Sequence, residues 1–382
     1  MVRVALFILV AGFLAGVPSG RTPQSLVSES RTTRSVLPAA DVDIRSRRLL
    51  TAYLSSGDDW HRLWSAKELA KRGDRGAVRF IESLLGSGKM LLGMQAAEAL
   101  GEIGASSAAP ALIEALRAEL FEVRGGASWA LGEMKAQAAV PHLESLLRDP
   151  VQDVQIYAAE ALLKIRPRHQ PARALLEHIF TSPSSDSWIR TLAAGGLRRA
   201  GEPAVRSYVE RQLVENRRPE VRAAAAESIG LAGEPSAIET LQQRLSEEPV
   251  HWVRATVATA LGRLQDSRAV SILARTARDA SEDPMVRSAA IDAMNILAAN
   301  ASEDLFTDLL ADPEDWARLS AARALLRARC CIELAREALG ALLEARDPHL
   351  QIEAAGTLLD YPPTGHPRES GIASLLERAS PP

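Results

Sequence analysis

Apolar residues recur along most of the chain in short amphipathic segments that repeat one pattern. Each copy begins with an apolar residue and an arginine, continues through small residues and closes near a large apolar residue. The clearest copies read VRGGASWALGEMK, VRAAAAESIGLAG, VRATVATALGRLQ and VRSAAIDAMNILA, and they begin at Val123, Val221, Val253 and Val286. Apolar residues three and four positions apart share one face of a helix. The pattern predicts an amphipathic A helix in each unit, followed by a second, B helix.

The copies return at a nearly constant spacing. The large apolar residue late in each copy, here called the marker residue, is found at Leu69, Leu100, Leu131, Leu162, Leu197, Ile229, Leu261, Met294, Leu325 and Leu358. Successive marker residues are 31, 31, 31, 35, 32, 32, 33, 31 and 33 positions apart. Such a period is typical of solenoids, in which each unit buries its apolar face only against its neighbours. We predict an all-α, right-handed α-solenoid of about ten helix pairs.

Glycines and Asp-Pro pairs mark the boundaries of the predicted helices. Glycines suited to a positive φ at the end of an A helix occur at Gly73, Gly104, Gly201 and Gly233. An aspartate followed by proline predicts an N-terminal cap at Asp149, Asp283 and Asp312. The segment DVDIRSRRLLTAYL, from Asp41, predicts a helix that caps the first clear unit. We expect irregular terminal units, because one face of each has no neighbour.

Composition favours closely packed helices and argues against one class of partner. Hydrophobic residues make up 47% of the chain but aromatic residues only 4%, so most of the apolar surface is aliphatic. Alanine-rich helices approach each other closely, whereas β-sheets favour β-branched and aromatic residues. The formal net charge is −3 and no basic block is present, which argues against a nucleic-acid partner.

The first residues differ from the repeats. A short positive start precedes a charge-free apolar run from Val4 to Val17. This run fits the hydrophobic region of a signal peptide and is shorter than the roughly 20 residues of a membrane span. We predict a signal peptide at 1–19, a flexible linker at 20–40 and a repeat domain at 41–380. The protein is then exported to the periplasm, the cell envelope or the outside, and an uncleaved N-terminal anchor is the alternative.

Units such as VRAAAAESIGLAGEPSAIETL carry a pattern that resembles a known repeat family. The pattern VR-x-x-A-A-x-A-L-G-x-x-G-x-x-x-A-V-P-x-L resembles HEAT-like repeats of the short type named after phycobilisome lyases, from about Asp58 to Arg378. The resemblance implies a scaffold or binding surface, although some members assist bilin attachment or carry metal-dependent hydroxylation. The His-Glu dipeptides of the hydroxylases are absent here, as are H-E-x-x-H and a Cys/His ligand set. We therefore predict no catalytic residue, no cofactor and no metal site.

An arginine recurs seven residues before the marker residue in most units. The set is Arg62, Arg124, Arg190, Arg222, Arg254, Arg287 and Arg318. Four of these follow an acid four positions earlier, namely Asp58, Asp186, Asp283 and Glu314. Such pairs on a helix contribute about 0.2–0.5 kcal/mol each. We predict that the arginines form a structural ladder that fixes the register between units.

Four tryptophans lie two residues before a ladder arginine, at Trp60, Trp188, Trp252 and Trp316. Two interpretations stay open: each indole staples the start of an A helix to the previous unit, or the four form an aromatic binding edge beside the arginines. Trp129, two residues before its marker residue, is expected in the core. Trp64 fits neither set.

The remaining candidate chemistry is sparse. Cys330 and Cys331 are the only cysteines, and buried thiols or an intermolecular bridge are both open. Asn300 begins a formal glycosylation sequon.

The sequence therefore predicts a non-catalytic scaffold that holds an unidentified protein partner on a curved face lined by B helices. The alternatives are a glycan- or ligand-binding module that uses the tryptophan edge, and a lyase-like enzyme or an accessory subunit.

Overall fold

The computed structural model describes residues 39–56, 58–297 and 303–362 of the 382-residue chain. These residues form twenty α-helices and no β-strand, and α1 spans Ala39–Ser56. The ten A helices are α2 Asp59–Ala70, α4 Met90–Ile103, α6 Phe121–Glu133, α8 Gln152–Ile165, α10 Ser187–Arg199, α12 Pro219–Ala232, α14 His251–Arg263, α16 Pro284–Ile296, α18 Asp315–Ala328 and α20 Pro348–Asp360. The nine B helices are α3 Arg75–Leu85, α5 Ala109–Ala115, α7 Val140–Leu146, α9 Gln170–Thr181, α11 Arg206–Glu215, α13 Ile238–Glu247, α15 Val270–Arg278, α17 Glu303–Leu309 and α19 Ile332–Leu342. The predicted all-α solenoid is confirmed.

Several predictions concern residues outside the described ranges. The signal peptide at 1–19, nearly all of the linker at 20–40, the sequon at Asn300 and the C-terminal segment GIASLLERAS lie there. The first described helix begins at Ala39, two residues before the predicted start at Asp41. Among the described residues, we find no helix with the length and hydropathy of a membrane span.

The turns after seven of the ten A helices contain a residue in the left-handed conformation, whereas α8 is followed by Arg166, with φ of −131°. Gly73, Gly104, Gly201 and Gly233 have φ values of 87°, 68°, 83° and 66°, as their positions predict. Where glycine is absent, other residues adopt the same conformation: Lys135, Gln265 and Arg329 have φ values of 50°, 54° and 57°. The left-handed turn therefore does not depend on glycine, which only makes it less strained.

The small residues beside the marker residue allow the A helices to pack closely. A Cβ atom on Gly101, which follows Leu100, would lie 2.8 Å from the Cα atom of Ala130 in the next A helix. The same relation holds for Gly262 and Ala293, at 2.7 Å. Since any side chain larger than hydrogen would collide there, glycine after one marker residue and alanine before the next set the distance between neighbouring A helices.

The A helices form the inner layer of the array. Neighbouring A helices pack along much of their length, whereas neighbouring B helices touch at few points. In a curved stack, the layer with the closer spacing lies on the inside. A cavity walled only by α4, α6, α8, α10, α12 and α14 lies on this inner face. The prediction that B helices line the curved face is therefore wrong.

The two ends of the array meet, so that the solenoid closes into a ring. Helix α20 packs on α18 on one side and on α2 and α1 on the other. The Tyr53 hydroxyl donates to Gln351 Oε1 at 2.7 Å, and Arg336 Nη2 donates to Asp43 Oδ1 at 2.6 Å. Helix α1 lies against α20 in the position of a B helix and completes the tenth unit. The expectation that the terminal units lack a neighbour on one face is wrong.

The Asp-Pro pairs act differently from one another. Asp283 caps α16, whose first residue is Pro284, and its carboxylate accepts from Met285 N–H at 2.9 Å. Asp149 and Asp312 lie three residues before α8 and α18 and are not N-cap residues of those helices. Their carboxylates accept the backbone N–H groups of Val151 and Glu314 at 2.9 Å, before the helix starts, and also receive arginines from a preceding A helix. The predicted cap is correct only at Asp283.

Candidate functional site

The ladder arginines join three helix ends, as Arg222 illustrates. Its Nε and Nη2 donate to the carboxylate of Glu248 at 2.8 and 2.6 Å. Its Nη1 donates to the carbonyls of Asn216 and Arg217 at 2.9 and 3.0 Å. Asn216 and Arg217 follow the preceding B helix, α11, whereas Glu248 follows the B helix of the same unit, α13. The buried guanidinium therefore connects the start of α12 to the ends of two B helices.

The same carboxylate contact recurs in three other units. The pairs are Arg124 with Asp149, Arg254 with Glu282 and Arg287 with Asp312. The other three ladder arginines bond to backbone or nearer groups: Arg62 to Leu54 O, Arg190 to Phe180 O, and Arg318 to Asp312 O and Asp315. The distance in sequence from each arginine to its carboxylate is set by the length of a B helix, which places the acid beside the next turn.

The predicted ion pairs with acids four residues earlier do not form among the described residues. Asp58 and Asp186 instead accept hydrogen bonds from the first backbone N–H groups of α2 and α10. Glu314 precedes α18 without a side-chain cap. An aspartate at this position has backbone donors within reach, and these compete with an exposed ion pair.

Pairing with arginines lowers the pKa values of two of the acids that bind the ladder arginines. Burial raises the pKa of Glu248, but the hydrogen bonds donated by Arg222 and Arg244 outweigh burial and hold that pKa below its usual value. Burial also raises the pKa of Asp312, but the hydrogen bonds from Arg287 and from the backbone of Glu314, with the charges of Arg287 and Arg318, together lower it below its usual value. Both groups are therefore favoured as carboxylates in the folded ring.

The four edge tryptophans are half-buried and pack against the core. Trp188 Nε1 donates to Asp153 Oδ1 of the neighbouring A helix at 3.2 Å. Ring closure brings Trp60 and Trp316 to one place, where they join two residues that the edge pattern did not include. Trp64 stacks on His349 with 3.8 Å between ring centroids, and Trp316 meets the same imidazole edge-on at 5.1 Å. We call Trp60, Trp64, Trp316 and His349 the closure cluster.

The inner face carries a cavity of about 500 Å³. Residues from six consecutive A helices line it, including the aromatic Trp129 and Tyr157, the charged Glu160, Arg199 and Glu227, and the hydroxyl-bearing Ser228. Trp129 is half-buried: it packs against the core, as expected, and also contributes to this wall. Residues two positions before or after a marker residue supply much of the lining. The sequence contains this spacing, but the spacing alone does not show that the A helices form the inner layer.

Ion pairs between neighbouring A helices surround this cavity. Lys67 Nζ lies 2.5 Å from Glu102 Oε2, and Arg263 Nη1 lies 4.0 Å from Glu227 Oε1. Lys164 with Glu133 and Arg199 with Glu160 form two further pairs. Each acid has a basic partner on the next or previous A helix, so charge on the cavity wall is compensated locally.

The described residues contain no group of three or more His, Cys, Asp or Glu side chains arranged to hold a metal ion. Cys330 and Cys331 are free, half-buried thiols in the turn between α18 and α19, and burial raises the pKa of Cys330. The pKa of Cys331 is raised mainly because its thiol bonds to the Glu303 carboxylate. Raised thiol pKa values disfavour the reactive thiolate.

Much of the sequence matches a known family of repeats. The HEAT repeats family matches residues 46–121, 109–198, 172–258 and 251–327. The chain belongs to the HEAT repeat family. Among curated proteins, none matches the sequence.

The solved structures that this chain resembles include three of different kinds. Human deoxyhypusine hydroxylase has 22% identity and a TM-score of 0.36 over 76% of this chain and 96% of its own. The CpcE–CpcF complex of phycocyanin lyase from Nostoc sp. has 22% identity and a TM-score of 0.36 over 74% and 93%. Kap121p bound to Nup53p has 13% identity and a TM-score of 0.38 over 82% and 41%. These likenesses concern the fold alone, and a HEAT repeat assigns no activity by itself.

Proposed function

We propose that this protein is a non-catalytic protein-interaction scaffold whose inner face holds a segment of a partner. The observation that supports this proposal is the closed ring, which presents aromatic and paired charged side chains from parallel A helices on one concave surface. Extended concave surfaces are the usual binding surfaces of repeat proteins. Aromatic and arginine side chains are the types that dominate protein–protein contacts.

The same proposal places the protein outside the cytoplasm. The apolar run from Val4 to Val17 supports export through a signal peptide. Sequencing the N-terminus of the protein purified from its source tests this: a start near Gly20 in an envelope or secreted fraction is expected. An intact Met1 in a soluble cytoplasmic fraction contradicts it.

A pair of photo-crosslinking variants tests the binding face. Leu231 on α12 lines the inner cavity and is 47% exposed, whereas Val214 on α11 is 48% exposed on a B helix. Benzoylphenylalanine replaces one of these residues in each variant, so the two variants place the crosslinker on different faces at nearly equal solvent exposure. We expect one discrete crosslinked protein from the Leu231 position and none from Val214. Equal capture at both positions, or capture at Val214 alone, contradicts the inner-face proposal.

Glycan or ligand binding at the tryptophan edge is the second candidate. The closure cluster supports it, because two of the four edge indoles lie together there and aromatic faces suit sugar rings. Changing Trp316 to Ala should then weaken retention on a glycan resin, whereas changing Trp252 to Ala, an edge residue on α14 distant from the cluster, should weaken it less. Identical retention of both variants and the parent protein contradicts this candidate.

A further inference from the structure

The cavity coincides with a departure from the repeat. The residue before the marker residue is alanine in most units, but in the sixth unit it is Ser228. The residue two before the marker in the fifth unit is Gly195, where neighbouring units have Glu160 and Glu227. A Cβ atom on Gly195 would lie 3.1 Å from Ser228 Oγ. Glycine at this position therefore leaves room beside the serine hydroxyl, where a larger side chain would crowd it.

Ser228 Oγ is a buried polar atom without a partner. The residue is only 3% exposed, lines the cavity, and its hydroxyl makes no hydrogen bond. Buried hydroxyls are normally bonded, because an unmade bond leaves the loss of water uncompensated. The atom is therefore placed to bond to something that enters the cavity.

Tyr157 adds a second hydroxyl and an aromatic ring to the same wall. Its ring occupies the space that a side chain at position 125 would need, since a Cβ atom on Gly125 would lie 2.9 Å from Tyr157 Cδ2. Burial raises the pKa of Tyr157 well above its usual value, so the hydroxyl stays protonated and can donate a hydrogen bond. The absence of a side chain at Gly125 thus leaves the space that the Tyr157 ring occupies.

The charges of the wall favour a neutral ligand. Glu133, Glu160 and Glu227 each face a cation on a neighbouring A helix. A charged ligand would have to break one of these pairs, whereas an apolar ligand would leave Ser228 Oγ unbonded. A ligand with many hydroxyls can donate to the remaining lone pairs of these carboxylates and accept from the remaining N–H groups of their basic partners. It therefore binds without breaking the ion pairs.

We propose that the cavity between Trp129 and Arg263 binds a neutral sugar of one to three rings. A ring packs on the aromatic wall formed by Trp129 and Tyr157, and its hydroxyls bond to Ser228, Glu160 and Arg199. The volume of about 500 Å³ lies in the range of small-molecule sites. This site goes beyond the proposed scaffold function and is separate from the closure cluster.

Calorimetric titration of the full chain with maltotriose, cellotriose and chitotriose tests the proposal. We expect a Kd below about 1 mM for at least one of the three. Changing Ser228 to Ala should weaken that binding about tenfold or more, because the ligand hydroxyl loses its buried partner. Changing Tyr157 to Phe should also weaken it, since the ring remains and only the donor is lost.

Ser65 provides the matched control. Its hydroxyl is likewise fully buried and unpartnered, but it lies on α2 outside the cavity. The Ser65→Ala variant should bind the sugar as the parent protein does. Circular dichroism of each variant verifies that the helices are retained.

Three outcomes overturn the proposal. The first is no binding of any of the three sugars at about 10 mM, well above the expected Kd. The second is equal binding by the Ser228→Ala and Ser65→Ala variants. The third is a neutral peptide, Gly-Ser-Gly-Asn, that binds more tightly than each sugar and loses affinity in the Ser228→Ala variant, which assigns the cavity to a segment of the protein partner.

Discussion

The regular stack and the closure of the ring are built from different contacts. Between consecutive A helices, glycine and alanine bring backbones together, as at Gly262 and Ala293. At the closure, Arg72 donates to the backbone carbonyl of Gly356 and to Asp360, and Trp64 stacks on His349. Small apolar contacts set the distance between helices where the chain itself delivers the next unit, and ion pairs such as Arg199 with Glu160 lie beside them. Helices from opposite ends of the chain meet through directional hydrogen bonds, which fix their register without a connecting turn.

The largest effect is expected when a close contact of the stack is blocked. Changing Gly262 to Val places atoms where a Cβ would already lie 2.7 Å from the Ala293 Cα atom. We expect the free energy of unfolding, measured with urea, to fall by about 3 kcal/mol or more.

Gly340 on α19 is the control for this substitution, because nothing lies within 4 Å of a Cβ placed there. Changing it to Ala should raise the free energy of unfolding by about 0.5–1 kcal/mol, since alanine favours the helix. Similar losses in both variants would mean that close approach of the A helices does not hold the stack together.

A smaller and more local effect is expected at the closure. Arg336 donates to Leu358 O at 3.1 Å and to Asp43 Oδ1 at 2.6 Å, and its side chain is almost fully buried. Changing Arg336 to Ala should lower the free energy of unfolding by about 2 kcal/mol, because charge-assisted bonds are lost. Hydrogen exchange should quicken in α1 and α20 and stay unchanged in α12. Uniform quickening throughout the ring would contradict a distinct closure.

The contact between Arg222 and Glu248 in the ladder should make a pH-dependent contribution to the free energy of unfolding. The pKa of Glu248 is lower in the folded ring than its usual value of 4.5. Its stabilising contribution is therefore present above pH 4.5 and is lost as the pH falls through the lower, folded-state pKa. Changing Glu248 to Gln should cost about 1–2 kcal/mol at pH 7 and progressively less on acidification. Urea unfolding from pH 7 to pH 3 measures this; parallel pH curves for variant and parent would contradict it.

The smallest effect is expected in a turn. Gln265 follows α14 with φ of 54°, a conformation that glycine adopts without strain. Changing Gln265 to Gly should raise the free energy of unfolding by about 1 kcal/mol. Changing Gly233, at φ of 66°, to Ala should lower it by a similar amount. A destabilised Gln265→Gly variant would show that its side chain contributes more than its backbone strain costs.

The sequence predicts those parts of the structure that repeat locally. The period, the two helices of each unit and the left-handed glycine turns follow from residues within about one unit of each other. The repeat positions predict the seven arginines, but the predicted carboxylate partners are wrong. The acid four residues earlier is close in sequence, whereas Glu248 reaches Arg222 only through the fold.

Closure and the inner cavity could not be predicted in the same way. Whether the ends meet depends on small rotations between units that accumulate around the array, and no single unit records their sum. His349 carries no signal in the sequence as a partner of Trp64, because about three quarters of the chain separates them. Gly195 and Ser228 were visible as departures from the repeat, but their place on the inner face depended on which helix layer lies inside.

A closed ring constrains how such a protein evolves. Open repeat arrays lengthen or shorten by duplication or loss of units, since each new unit needs only a neighbour. Here α1 supplies the last B helix, and ten units share one full turn, about 36° each. A gene that gains or loses one repeat would encode a chain whose ends no longer meet. Change in this lineage is therefore expected through substitutions within units, while the number of units is conserved.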